Sequence, residues 1–140
     1  LNGNVSSGAP MPVLRLLDLE DERLSRFRNV SDAALLETHG LFVAEGRLVV
    51  ERVVRDGRHR VEQVLLSQSA YDRLQGTLER RYEIEVFVVE RPSAFQAITG
   101  FDIHRGCLAL VRRPAPTAWG TVLAGVRLAV ALDAVASADN

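Results

Sequence analysis

Gly40-Leu41-Phe42-Val43-Ala44-Glu45-Gly46-Arg47-Leu48-Val49-Val50 holds, in eleven residues, the pattern on which the fold reading turns. A short apolar run, Leu41 to Ala44, reads as a buried strand, because four consecutive apolar residues leave no polar face for water. Glu45-Gly46 then marks a turn. From Arg47 to Arg55 the valines at 49, 50, 53 and 54 recur at helical spacing, with Glu51, Arg52 and Arg55 on the opposite side, and Asp56-Gly57 ends the segment.

The same alternation continues downstream. Val61 to Ser67 predicts a second strand with Val64, Leu65 and Leu66 inside, and Ser67 leads toward a capped helix. Ser69 and Asp72 have capping-box spacing, and Tyr71, Leu74 and Leu78 fall on one helical face. Ile84 to Val89 predicts a third strand. Pro92-Ser93 suits a helix start, with Phe95 and Ile98 facing inward until Gly100, and Cys107 to Val111 predicts a fourth strand. Upstream, Ser31 to Thr38 predicts a short helix stopped by Gly40. Strands separated by helices imply right-handed crossovers with helices on both faces. The expected fold class is therefore α/β, a three-layer α/β/α sandwich with a mostly parallel central sheet.

The expected organisation is a disordered tail or leader over 1–19, a sandwich domain over 20–111, a linker over 112–118 and the start of a second unit over 119–140. Pro114 and Pro116 stiffen the linker. Beyond it, Val126 to Leu132 predicts a strand whose uncovered edge would invite aggregation, so the natural protein is expected to continue past Asn140. Residues 1–10 precede Met11, the one methionine, and have the small polar composition of upstream or vector sequence.

Composition narrows the function classes. The chain has 140 residues and a formal net charge of −1, so no global basic field advertises nucleic acid. All 17 basic residues are arginine, which weakens arginine abundance as a sign of phosphate binding. Cys107 is the single cysteine, so no intrachain disulfide forms, and it reads as a small buried hydrophobe. Arg127 and Asp133 interrupt the longest apolar stretch, Val122 to Val135, which excludes a membrane span there. These features, with no secretory pattern at the start, suit a cytoplasmic protein. His39, His59 and His104 stand apart in sequence, and no His/Asp/Glu set has metal-ligand spacing.

Three segments carry candidate chemistry. At Glu45-Gly46-Arg47, the amides opening a helix and the Arg47 guanidinium can meet a phosphate; the plainer reading is that Glu45 complements the helix dipole and Gly46 allows the turn. His104-Arg105-Gly106, in the loop after Gly100, joins an imidazole, a guanidinium and a flexible glycine, suited to unpaired bases or simply to solvent. Arg28, with Arg23 and Arg26, follows the acidic run Glu20-Asp21-Glu22, which balances those charges.

In order along the chain, Phe27-Arg28-Asn29-Val30-Ser31-Asp32, then Gly40-Leu41-Phe42-Val43-Ala44-Glu45-Gly46, then Thr99-Gly100-Phe101-Asp102-Ile103-His104-Arg105-Gly106-Cys107-Leu108-Ala109 resemble the substrate-binding domain of the SpoU/TrmH family of RNA ribose methyltransferases. Its hallmark strand and turn is Phe-Val-x-Glu-Gly, and many members have Gln-Gly where this chain has Arg105-Gly106. The strand expected after the linker resembles the passage into the knotted SPOUT domain, and Asp139-Asn140 the start of that domain's first motif.

The resemblance implies a fold like that of kink-turn-binding ribosomal proteins, and RNA contacts at Arg28, Glu45, Gly46, Arg47, His104, Arg105 and Gly106. It further implies methylation of a ribose 2′-hydroxyl in ribosomal or transfer RNA with S-adenosylmethionine, in a homodimer joined through the SPOUT domain. Asn140 is the one family active-site position within the chain. The cofactor knot lies outside it, so this chain is expected to bind no cofactor or metal and to be inactive alone. Two rival readings remain: a stand-alone, non-enzymatic RNA-binding protein of the same fold, and a small-molecule enzyme with a Rossmann-like sheet, which lacks a visible cofactor loop.

Overall fold

A computed structural model describes residues 13–28, 33–100, 106–131 and 133. Five strands form one sheet: β1 (Val13–Leu16), β2 (Leu41–Glu45), β3 (Val61–Ser67), β4 (Glu85–Val89) and β5 (Cys107–Arg112). Their spatial order is β1-β4-β3-β5-β2. β1 and β3 flank β4 in parallel, whereas β5 lies antiparallel between β3 and β2. Four strands thus point one way and β5 alone runs back.

Alternation along the strands divides the core in two, because successive side chains leave opposite faces of a sheet. On one face Val64, Leu66, Val86, Val88, Cys107 and Ala109 pack beneath α3 (Arg47–Asp56) and α4 (Gln68–Leu78), which contribute Val50, Val54, Leu74 and Leu78. On the other, Leu65, Phe87, Val89, Leu108 and Leu110 meet Phe27 of α1 (Ser25–Arg28), Leu36 of α2 (Ala33–Thr38), and Phe95 and Ile98 of α5 (Pro92–Thr99). Phe27 and Phe87 meet edge to face at 6.2 Å. The three-layer α/β/α sandwich expected from periodicity is present.

Local signals mostly act as read. Gly57 and Gly100 end α3 and α5 in left-handed backbone, and Pro92 opens α5. The α4 cap sits two residues before the Ser69 expected from the capping-box spacing: Ser67 Oγ accepts from Ala70 N at 3.3 Å. Ser67 is still extended (φ −69°, ψ 160°), as a cap must be, while Ser69 is already helical. Asp72 instead accepts from Gln68 Nε2 at 2.7 Å.

Two expectations need correction. Residues 13–16, placed in the tail over 1–19, form the edge strand β1; β4 supplies the pairing that four residues cannot advertise alone. Leu14 and Leu16 join one core and Val13 the other. The register of β3 slips between Val61 and Gln63, so Glu62 is an extra residue that bends the strand. Its carboxylate meets Arg26 at 2.8 Å and Arg112 Nε at 2.8 Å, closing the sheet end opposite the helix starts. The second correction concerns the region after the linker. The short helix α6 (Trp119–Val122) occurs there, and residues 126–131 are exposed without strand structure, Leu128 being 84% and Val130 80% accessible. A strand needs a neighbour for its backbone groups, and no described residue offers one to 126–131.

Ser31, His104, Arg105, Leu132 and Asn140 lie outside the described residues. Among the described residues, no helix is long and apolar enough to cross a membrane.

Candidate functional site

β2, β3 and β4 end at the same edge of the sheet, where α3, α4 and α5 begin and where β5 enters. Two backbone bonds knit these turns together. Gly46 N donates to Cys107 O at 2.9 Å, and Ser67 N donates to Gly106 O at 2.8 Å. Consecutive carbonyls at the start of β5 therefore hold the exits of β2 and β3.

Both glycines are needed for this. Gly46, at φ 85° and ψ 147°, occupies backbone space that is essentially glycine's alone. Gly106 has φ 54°, and a Cβ there would lie 2.9 Å from both Cβ and Oγ of Ser67 and 3.4 Å from Phe95 Cε2. The turn's geometry thus demands hydrogen at Gly106 on steric grounds as well as torsional ones. Gly46 and Gly106, sixty residues apart in sequence, come together as neighbours.

Arg47 occupies the first turn of α3, half-buried, and pairs with Glu51 at 3.5 Å. Glu51 also holds Arg55 at 2.5 Å, so its charge is shared between two cations. Burial pushes the Cys107 thiol up to about 12, and the nearby Arg47 charge pulls against that. Cys107 is fully buried and takes a packing role. Glu45 is exposed at the end of β2. The first turns of α3 and α4 point free amides toward this edge, giving a locally positive rim on a chain with no net positive charge.

Arg28 does something else. Its Nη2 donates to the carbonyls of Leu19 at 2.8 Å and Asp21 at 3.2 Å, and Glu20 lies 3.7 Å away. It therefore fastens the loop after β1 rather than presenting a free cation.

Sequence reading missed Arg15. From β1 it bonds Gln68 Oε1 at the start of α4 and stacks 5.8 Å above the Tyr71 ring. Only recognition of β1 could have found it. Also missed is a groove of about 260 Å³ bordered by Leu16, Leu17, Leu19, Val89, Glu90 and Arg91, beside the ends of β1 and β4. Among the described residues, no three His, Cys, Asp or Glu side chains are grouped to hold a metal ion.

No protein-family model matches the chain, and no curated protein sequence does. Solved structures do. An rRNA methyltransferase from Sinorhizobium meliloti superposes with a TM-score of 0.56 at 13% identity, over 74% of this chain and 38% of its own. An AdoMet-bound rRNA methyltransferase from the same organism superposes with a TM-score of 0.56 at 14% identity, over the same shares. An RNA 2′-O ribose methyltransferase gives 0.54 at 17% identity, over 76% and 39%. This chain thus spans about two fifths of the length of the structures it matches. At such identities the likeness is one of fold, shared with part of these RNA methyltransferases.

Proposed function

We propose that this chain is the RNA-recognition unit of an S-adenosylmethionine-dependent RNA 2′-O-ribose methyltransferase of the SpoU/TrmH type, acting in the cytoplasm on ribosomal or transfer RNA. The observation that carries the reading is the meeting of Glu45-Gly46-Arg47 with Gly106-Cys107 at the sheet edge where α3 and α4 begin. They belong to two of the three segments that resemble the family's substrate-binding domain, and tertiary structure joins them. Sandwich fold and structural neighbours support the same reading.

The chemistry gives such a unit its purpose. Every RNA nucleotide carries a 2′-hydroxyl, so selectivity comes from holding one ribose beside the methyl donor. Shape-dependent contacts to RNA do that without a strongly basic surface. The cofactor is assigned to a SPOUT domain, through which the protein dimerises. The groove near β1 is smaller than the ~300–1,000 Å³ of sites that enclose a ligand of drug size, and no methyl-transfer step is routed through the sandwich.

Fluorescence anisotropy with transfer RNA and ribosomal RNA fragments tests the reading. The chain binds, and Arg47→Gln weakens binding while reducing the salt slope by about 0.7 to 0.9 for one lost phosphate contact. Absence of RNA binding at low salt overturns the proposal. An unchanged slope removes Arg47 from the interface.

A further inference from the structure

We infer that the groove beside the ends of β1 and β4 receives one unpaired RNA nucleotide, its base against Leu16, Leu17 and Leu19 and its phosphate on Arg91. The inference rests on the RNA reading above and adds to it a subsite that none of the segments discussed there includes.

Size and lining come first. At about 260 Å³ the groove suits one flat heterocycle and is too small for a helix or strand of a partner protein. Leu16 and Val89 are buried beneath it, while Leu17 stands 82% exposed at its wall. An isolated leucine in water needs no explanation; one bordering a preformed concavity supplies an apolar surface for a π-face.

The wall is held before any ligand arrives. Arg28 Nη2 bonds the Leu19 carbonyl, and Asp18 Oδ1 accepts from Glu20 N at 2.9 Å, folding the loop after β1 into a local turn. Ordering of this loop is therefore already met in the free protein, which lowers the cost of binding.

Charge selects the occupant. Arg91 is exposed and has no hydrogen bond or ion pair among the described residues, unlike Arg15, Arg28 and Arg47. Its planar fork matches a phosphate. Glu90, also on the rim and exposed, can accept from the N–H edge of a base. An apolar floor with one cation and one acceptor is complementary to a nucleotide. Double-stranded RNA keeps its bases stacked, so the ligand is a splayed or single-stranded residue. The groove also lies at the strand ends where α4 and α5 begin, so one RNA can span both regions.

The test is NMR on the whole chain labelled with ¹⁵N and in its leucine methyls, titrated separately with single-stranded octa-adenylate, its abasic counterpart and inorganic phosphate. Octa-adenylate shifts the Leu16, Leu17 and Leu19 methyls; the abasic strand shifts the Arg91 side chain but leaves those methyls in place. Arg91→Gln lowers the salt slope by about 0.7. Leu17→Ser weakens octa-adenylate on the order of threefold, less than loss of an aromatic stacking platform does. Three results overturn the inference. Still groove methyls with shifting Gly46 and Gly106 amides place the RNA at the sheet edge alone, leaving the proposed function intact. Arg91 shifts that phosphate reproduces in full, with no methyl response to the base, reduce the groove to an anion contact. Silence at both regions removes this subsite and the RNA reading together.

Discussion

Replacing Gly106 with alanine probes the contact on which the candidate site depends. The residue has φ 54°, a left-handed backbone that costs a non-glycine residue roughly 1–2 kcal/mol. The added Cβ also meets Ser67 Cβ and Oγ at 2.9 Å; Oγ is engaged in capping Ala70 N, and Cβ is fixed to the backbone and cannot rotate away. Forcing these apart strains the Ser67 N to Gly106 O bond, and overpacking of this kind costs about 1–3 kcal/mol. The sum, roughly 2–5 kcal/mol, is a large share of the ~5–15 kcal/mol that holds a domain folded. Urea denaturation followed by circular dichroism measures it. Two controls separate the causes. Gly46→Ala carries an unfavourable backbone (φ 85°) with no atom within 4 Å of the added Cβ, so it reports torsion without the clash. Ser67→Gly removes both close atoms, costs a few tenths of a kcal/mol as a cap change, and in combination with Gly106→Ala recovers about 1–2 kcal/mol. A double-mutant cycle with no coupling between positions 67 and 106 would refute the steric argument.

Gly76→Ala, in the exposed interior of α4 with nothing within 4 Å, has the opposite sign and stabilises by about 0.5–1 kcal/mol in the same assay. Burial by itself raises the Glu62 carboxyl, but the Arg112 and Arg26 guanidiniums more than offset it and hold the group below its usual 4.5. The unfolded chain thus binds this proton more readily. Glu62 contributes stability at neutral pH that is lost as pH falls below about 4.5, and the fall is shallower in Glu62→Gln when denaturation midpoints are compared between pH 7 and pH 3. With its thiol near 12, Cys107 resists a thiol reagent at pH 8 until urea unfolds the sheet; rapid modification of folded protein contradicts its burial. Arg28→Ala frees the Leu19 and Asp21 carbonyls, so hydrogen exchange rises over residues 17–21 while β4 stays protected, and uniform exchange across both would show a global role instead.

How much was legible in the sequence follows from how far each signal reaches. The Leu41–Ala44 run, the helical valines of Arg47–Asp56 and the capping glycines at 57 and 100 are local, and local torsions and periodicity are written in adjacent residues. Strand direction is not. Cys107 to Val111 has the same apolar character whichever way it runs, and only its pairing with β3 and β2 makes β5 antiparallel. β1 was hidden for a related reason: Val13 to Leu16 is too short to declare a period and takes its identity from β4.

The candidate site divides along the same line. Glu45-Gly46-Arg47 was visible as a strand, turn and helix start, while Arg28, expected from the resemblance to meet RNA, gave no sign in sequence of the carbonyls it holds. Its attachment to the Leu19 and Asp21 carbonyls is a tertiary fact, as are the Arg15 contacts and the Arg91 guanidinium, unpaired among the described residues, beside its groove. Composition and local pattern alone determined that this protein is an α/β sandwich and located the strands β2 to β5 with the helices between them. Tertiary structure decided which ends meet, because hydrogen bonds and close contacts between distant residues depend on where the chain returns, and neighbours in sequence carry no record of that.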